Sequence, residues 1–212
     1  MKLALFGASG ASGRLLTERA LAAGHTISAL VRNPSTFPFS DRVRVVQGDV
    51  FSPEAIAETL GGADAVLSAL GARSLKQEDV LERAVPLIVG AMVAAGISRI
   101  IVLGSCGVLE NALDQQPLWR RWLLENILYK TLLKWPIASQ RSQYSTLARS
   151  PLDWTMAMPP ALTNTPARGK FRVDGNALPH NGSRISRADV ADFMLQQLST
   201  NEWSRMGVYL TW

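Results

Sequence analysis

The chain has 212 residues, of which 47% are hydrophobic and 18% charged, and its formal net charge is +5. This length suits one α/β domain, and the composition excludes disordered, collagen-like and coiled-coil proteins. A single cysteine and two isolated histidines exclude an internal disulfide and a cysteine zinc cluster, so we expect no bound metal.

Predicted strands and helices alternate through the first half of the chain. Apolar runs of strand length lie at 2–6, 25–31, 43–46, 64–67 and 99–103. A helix follows the first strand, and a longer one, with Leu81, Ala84, Ile88 and Met92 on one face, can end at Gly96. This alternation predicts a doubly wound α/β domain, Rossmann-like, with a mostly parallel central sheet and helices on both faces.

The second half departs from this pattern and then returns to it. Residues 118–133 form a helical stretch within a predicted lid insertion at about 108–140, and 139–148 is a further predicted helix. A sixth strand is predicted at 153–157, a helix at 188–198 with Ser186 as its cap, and a closing strand at 206–210. Because there is no repeat or linker, we expect one domain over 1–212.

A glycine-rich segment lies where the first strand must turn into the first helix. Glycines allow a tight turn and close approach to a pyrophosphate, which the free N–H groups of a helix start can bind. Ser9 and Ser12 can add hydroxyl donors. The segment predicts a dinucleotide site formed by Gly7, Ala8, Ser9, Gly10, Ala11, Ser12 and Gly13.

The end of the second strand points to the coenzyme. An NAD site would place an acidic residue there for the ribose hydroxyls, but this strand ends in Arg32-Asn33. A guanidinium can pair with a 2′-phosphate and stack on adenine, so we expect NADP(H) in preference to NAD(H). Arg14 is a second candidate cation, and a surface arginine remains the alternative for Arg32.

Two further strand ends carry candidate coenzyme contacts. Asp49 and Val50 follow the third strand, where a carboxylate can accept from the adenine amino group, although an aspartate that only forms a turn is the alternative. Small residues after the fourth strand let a coenzyme lie close to the backbone. The candidates there are Ala69, Leu70, Gly71 and Arg73, the last of which can instead face solvent.

Six segments together resemble a known family. They are FGASGASGRL, ALVRNP, VVQGDV, LSALGAR, DWTMAMPPALT and RISRADVADFMLQQL, and they are similar to the atypical short-chain dehydrogenase/reductases related to biliverdin reductase B and flavin reductase, and more distantly to NmrA-like proteins. The resemblance implies a Rossmann fold, NADPH across the carboxyl ends of the strands, and hydride transfer to a flat conjugated acceptor. It also places Pro159 and Pro160 at the coenzyme and Ser105 beside the nicotinamide as the catalytic residue; a serine that only caps the strand end is the alternative.

The chain departs from the relatives in two ways. The Tyr-x-x-x-Lys pair of ordinary short-chain dehydrogenases is absent, because Leu133 and Ala148 stand four residues after Tyr129 and Tyr144. Ala161 stands where biliverdin reductase B presents a histidine, which argues against biliverdin. Reduction of a flavin or quinone needs stacking and orientation more than a protein acid, so such an acceptor is expected. A non-catalytic NmrA-like sensor of NADP(H) is the alternative.

The stretch 117–141 is basic and rich in tryptophan. It carries five cations against Glu125 alone, and it can face an anionic ligand, an acidic lipid surface or only water. We expect Trp119, Arg120 and Trp122 to contact the acceptor, with packing as the alternative role of the tryptophans. We expect no nucleic-acid partner, since the charge is confined to one segment, and no membrane span, which favours a cytoplasmic protein. The sequence leaves the oligomeric state open.

Overall fold

The computed structural model describes residues 1–71, 75–77 and 79–212 and has the predicted Rossmann-like architecture. Its larger sheet has the order β3-β2-β1-β4-β5-β6-β10-β8, in which β8 alone is antiparallel to its neighbour. The main strands are β1 Lys2–Phe6, β2 Thr26–Val31, β3 Arg44–Gln47, β4 Ala65–Ser68, β5 Arg99–Leu103, β6 Asp153–Met158, β8 Arg172–Asp174 and β10 Met206–Thr211. A separate parallel pair joins β7 Ala161–Thr163 to β9 Arg184–Ser186.

Helices cover both faces of the sheet. They are α1 Ala11–Ala22, α2 Pro53–Leu60, α3 Val80–Ala94, α4 Leu118–Leu123, α5 Lys134–Arg149 and α6 Arg187–Gln196. One apolar core lies under α2, α3 and α5, and the other lies under α1 and α6. Strands buried on both faces account for the unbroken apolar runs in the sequence. Within the described residues, no helix has the length and apolar character needed to cross a membrane.

The strand order reverses between β1 and β4, which sets the position of the site. Chain connections run outward in both directions from these two neighbours, so the loops after them diverge and leave a crevice at the carboxyl edge. Backbone pairing across β1 and β4 extends to Phe6 and Ser68, and the amide of Ala69 then donates to the Phe6 carbonyl at 2.9 Å. The glycine segment and the segment after β4 therefore begin side by side.

The region 108–140 differs in detail from the helical stretch predicted at 118–133 and the further helix predicted at 139–148. Short 3₁₀ turns at Cys106–Val108 and Glu110–Leu113 precede α4, a π-helical stretch follows at Leu124–Leu128, and α5 begins at Lys134. Pro136 lies in the first turn of α5, where its missing N–H costs no hydrogen bond within the helix. The helix predicted at 139–148 thus begins five residues earlier. The lid role of 108–140 stays a prediction.

Candidate coenzyme and acceptor site

Two glycines in the first loop are required by close backbone contacts. Gly7 has φ +80°, and a Cβ there would lie 2.7 Å from the backbone of Ala69. A Cβ on Gly13 would overlap the Gly7 carbonyl, because α1 starts directly against the loop. These contacts let the first turn of α1 sit immediately beside the carboxyl ends of β1 and β4.

Gly10 differs from Gly7 and Gly13, because the position that a Cβ would occupy there is open. A Cβ there would meet only the Gly7 carbonyl at 3.5 Å, an ordinary contact. Gly10 is the N-cap of α1, it supplies no side chain to the first N–H groups, and the first turn holds no acidic residue. The positive end of the helix is therefore uncompensated and suits a phosphate. Arg14 donates from Nε to the Ser9 carbonyl at 3.0 Å and so fixes the loop.

The crevice between the loops after β1 and β4 contains a cavity of about 150 Å³. Its lining includes eight predicted coenzyme residues: Gly7, Ser9, Gly10, Arg32, Val50, Ala69, Leu70 and Gly71. Gly48, close to Val50, also lines it. Leu30 and Val80 also line it and were not foreseen, since both look like ordinary core residues in the sequence. The predicted Ala8 is fully buried, and Ala11 and Ser12 lie in the first turn of α1.

Arg32 is the cationic residue that lines this cavity. The side chain is exposed, and within the described residues it makes no hydrogen bond or ion pair. The neighbouring Asn33 accepts from the Ser35 hydroxyl at 2.8 Å, which orders the turn that presents Arg32. Asp49 accepts from the amide of Phe51 at 3.1 Å and is not among the cavity-lining residues, so its turn-forming role is visible while the adenine contact stays a prediction. The predicted Arg73 lies outside the described residues.

Ser105 lies at the next strand ends along the same edge. After β5 and β6 pair as far as Leu103 and Ala157, the amide of Gly104 donates to the Ala157 carbonyl at 2.7 Å. The amide of Cys106 donates to the Pro159 carbonyl at 3.0 Å, so the half-buried Ser105 is held between these bonds. Its hydroxyl makes no side-chain capping bond to the turn that follows. This bond brings Pro159 close to Ser105, while contact of Pro159 and Pro160 with the coenzyme, and of Ser105 with the nicotinamide, stays a prediction.

A second cavity, of about 880 Å³, begins two residues beyond Ser105. Its wall combines apolar surface, Tyr129 and charged groups, with these members: Gly107, Leu109, Glu110, Ala112, Leu113, Arg121, Glu125, Tyr129, Lys130, Lys134, Ile137, Ala138 and Arg141. A Cβ on Gly107 would lie 2.8 Å from Cδ1 of Ile137, so the Ile137 side chain would have to shift to make room for it. Sequence reasoning missed most of this wall, because it comes from three separate helical pieces.

Tyr129 and Cys106 form a buried polar pair at this cavity. Their hydroxyl and Sγ atoms are 3.5 Å apart. Burial raises the pKa of the Cys106 thiol and, together with the nearby thiol, raises the pKa of the Tyr129 phenol. Both groups therefore stay protonated near neutral pH, so Cys106 is not a reactive thiolate and Tyr129 keeps its O–H as a donor.

The predicted acceptor contacts in α4 lie elsewhere. Trp119 and Trp122 are 70% and 60% exposed, and neither lines the cavity beside Ser105. Arg120 turns inward and donates to Gln116 at 3.0 Å and to the Gly182 carbonyl at 2.7 Å. The next residue, Arg121, lines the cavity instead. Contact of Trp119, Arg120 and Trp122 with an acceptor stays a prediction.

Comparison with known proteins agrees with the glycine-rich first loop and with the order of the strands in the sheet. The model of an NAD(P)H-binding family matches residues 7–201. The chain belongs to this NAD(P)H-binding family. The chain also has a relative that is 30% identical over 95% of this chain and 94% of its own length, the uncharacterized protein YwnB of Bacillus subtilis.

Two solved structures resemble this NAD(P)H-binding protein over its full length. A candidate exported protein from Burkholderia pseudomallei is 29% identical, with a TM-score of 0.82 and 100% of both chains covered. SP1627 from Streptococcus pneumoniae, described as a candidate NADH-flavin reductase, is 25% identical, with a TM-score of 0.81 and coverage of 100% of this chain and 99% of its own. The predicted resemblance to an NAD(P)H-binding, flavin reductase-like protein is thus confirmed, and the Rossmann-like fold with it.

Proposed function

We propose that this protein is an NADPH-dependent oxidoreductase that transfers hydride to a conjugated acceptor such as a flavin or a quinone. The observation that carries the proposal is the arrangement of two spaces along one sheet edge. The crevice at Gly7, Gly10 and Gly71 suits a dinucleotide, and the cavity that begins at Gly107 suits a flat second molecule. In the sequence, Ser105 lies between the residues that line the crevice and those that line the cavity.

The crevice fits a dinucleotide by its shape and charge. The open face of Gly10 leaves room that a side chain would fill, and the uncompensated start of α1 lies behind it. Arg32 is the cation that supports a preference for NADP(H), because its unpaired guanidinium can hold a 2′-phosphate through charge-assisted bonds. When bound, the reduced nicotinamide supplies the hydride.

Ser105 and the residues that line the second cavity would position the acceptor. Ser105 can donate a hydrogen bond to the acceptor or orient the nicotinamide carboxamide, since its hydroxyl is not used for capping. Tyr129 offers a protonated hydroxyl in the cavity wall, and Leu109, Leu113 and Ile137 supply apolar surface for a conjugated ring. A supply of reduced coenzyme is consistent with the predicted cytoplasmic location, which the structure leaves open.

The proposal is tested by mixing purified protein with NADPH and following its absorbance in the presence of FMN, riboflavin, dichlorophenolindophenol or menadione. We expect oxidation with at least one acceptor, and a Ser105→Ala variant with turnover lowered about tenfold or more and nearly unchanged coenzyme affinity. Thr155→Ser is a control substitution that is remote from the cavities. Saturable binding without oxidation across the panel would instead favour the NADP(H)-sensing alternative, and an unchanged rate would remove Ser105 from the mechanism.

A further inference from the structure

The outer surface of 118–135 carries a concentration of exposed apolar side chains. Leu118 is 84% exposed, Trp119 and Trp122 follow at 70% and 60%, and the face continues through the others of the set, Leu123, Ile127, Leu132 and Trp135. Elsewhere in the described chain, the exposed large hydrophobic residues are scattered singly. A concentrated apolar face of this kind marks a binding surface in soluble proteins.

Backbone geometry explains why these side chains share one side. The backbone stays in the right-handed helical region from α4 through the π-helical stretch to Tyr129. At helical spacing, residues 118, 119, 122, 123 and 127 lie on one face. The opposite face turns to the protein, where Arg121, Glu125 and Tyr129 line the large cavity. The exposed face is therefore presented by a helix that is anchored on its other side.

Most of the charged side chains of the segment lie along the large cavity, beside the exposed apolar face. Arg121 pairs with Asp114 at 2.8 Å and with Glu125 at 2.9 Å, which neutralises the acid of the segment. Lys130 donates to the Asn126 amide oxygen at 2.8 Å, and the ammonium of Lys134 lies 4.8 Å from the Trp135 ring centre. In the part of the chain that the structure describes, neither lysine has an acidic partner. Both lysines are exposed and also line the large cavity, so they flank the apolar face and add positive charge beside it.

We propose that this face docks onto the surface of an anionic lipid bilayer. Tryptophan and leucine side chains enter the boundary between headgroups and acyl chains, while lysines beside them attract anionic headgroups. A second copy of the chain fits less well, because symmetric pairing would bring the same lysines toward one another. Docking would also place the residues of the large cavity next to the bilayer, since Tyr129, Lys130 and Lys134 belong to the same segment.

The test is cosedimentation of the full chain with vesicles of phosphatidylcholine alone and of phosphatidylcholine with 30% phosphatidylglycerol. We expect binding to the anionic vesicles, a blue shift of tryptophan fluorescence, and weakening as salt is raised. Trp119→Ser with Trp122→Ser, and separately Lys130→Glu with Lys134→Glu, should each lower partitioning at least tenfold. Lys2→Glu with Lys170→Glu changes charge equally at a distant surface and should leave partitioning much less affected.

Coenzyme affinity, measured by calorimetry on every variant, shows that each is folded and keeps this result separate from the test of turnover. Absence of binding to anionic vesicles would overturn the proposal, as would equal binding to both kinds of vesicle or equal binding by the variants and the wild type. Sedimentation velocity provides a further decisive outcome. A dimer that the Trp119→Ser, Trp122→Ser variant converts to a monomer would assign the face to self-association instead.

Discussion

At the residue scale, the glycines of the first loop have separable roles. Gly13 is required by packing, because a Cβ would overlap the Gly7 carbonyl, whereas Gly10 faces open space. The same substitution at the two positions should therefore separate folding from coenzyme binding.

We expect Gly13→Ala to lower the free energy of unfolding by about 1–3 kcal/mol, as overpacking does, and to weaken coenzyme binding as well. Gly10→Ala should change stability by less than about 1 kcal/mol while lowering NADPH affinity at least tenfold. Urea unfolding and calorimetry measure the two effects. Gly90→Ala, in the open interior of α3, is the control and should be neutral or slightly stabilising. Equal affinities for Gly10→Ala and wild type would argue against a phosphate at this loop.

Arg32 is the residue on which the coenzyme preference depends. A charge-assisted contact with a 2′-phosphate contributes about 1.5–3 kcal/mol, so Arg32→Glu should weaken NADPH binding by roughly tenfold to more than a hundredfold. NADH, which has no 2′-phosphate, should lose much less. Titration of both coenzymes into wild type, Arg32→Glu and the exposed control Arg42→Glu measures the difference. Equal losses for the two coenzymes would show that Arg32 does not set the preference.

At the scale of elements, the start of α6 is joined to two distant segments by one buried carboxylate. Asp189 accepts from the amide of Gly169 at 2.9 Å, from the Ser186 hydroxyl at 2.7 Å and from the Trp212 ring N–H at 2.8 Å. The guanidinium of Arg168 lies 3.7 Å from the centre of the Trp212 ring and covers the junction. Asp189 thus holds together the start of α6, the loop before β8 and Trp212, which follows β10.

This junction predicts a specific pH dependence of stability. Burial acts to raise the pKa of Asp189, but the hydrogen bonds from Ser186, the backbone and Trp212 outweigh it and lower that pKa below its ordinary value. The stabilisation is therefore complete above the unfolded-state pKa of about 3.9 and is lost as pH falls through the lower folded-state pKa.

Asp189→Asn should lower the free energy of unfolding by about 2–3 kcal/mol at pH 7, because it replaces an acceptor by an amide donor that faces donors. The difference in unfolding free energy between variant and wild type should become smaller as pH falls from about 3.9 through the folded-state pKa of Asp189. Urea unfolding at several pH values measures it, with the exposed Asp41→Asn as control. A gap that stays constant down to acid pH would show that the charge of Asp189 does not contribute.

The elements also show what the sequence can and cannot predict. Buried parallel strands leave continuous apolar runs, so β1 to β6 were predictable as strands of a mostly parallel sheet. The glycine-rich segment and Arg32 follow such strands, so Gly7, Gly10 and Arg32 were also predictable as residues of one crevice. Helix α2 was missed although Ser52 caps it and Pro53 opens it, both of which are recognisable signals. The pair of β7 and β9 has three residues in each strand, too few for a period to show.

The cavity beside Ser105 could not be predicted from local patterns. Its wall depends on how α5 and the π-helical stretch pack together, and a π turn leaves the apolar spacing of a helix almost unchanged. Aromatic and basic residues therefore indicated a functional segment, but not which of them face inward. The structure distinguishes Tyr129 and Arg121 at the cavity from Trp119 and Trp122 on the outer face.

For the whole molecule, coenzyme binding should connect the two halves of the sheet. The crevice is lined by Leu30 of β2, by Val80 of α3 and by the segments that follow β1, β2, β3 and β4. These elements pack into the apolar cores on both faces of the sheet. Separating these pieces would destroy the site, so a ligand that binds here binds only the folded chain and stabilises it as a unit.

At an NADP⁺ concentration of about one hundred times Kd, the free energy of unfolding should rise by about 2.7 kcal/mol. For a chain of this size each kcal/mol corresponds to about 2–4 °C, so thermal unfolding should move upward by roughly 5–10 °C. Arg32→Glu at the same NADP⁺ concentration is the control and should lose most of this shift, because the ligand would no longer be in excess over Kd. Differential scanning fluorimetry measures both proteins, and wild type whose unfolding temperature responds to neither NADP⁺ nor NAD⁺ would contradict the assignment of this crevice to a coenzyme.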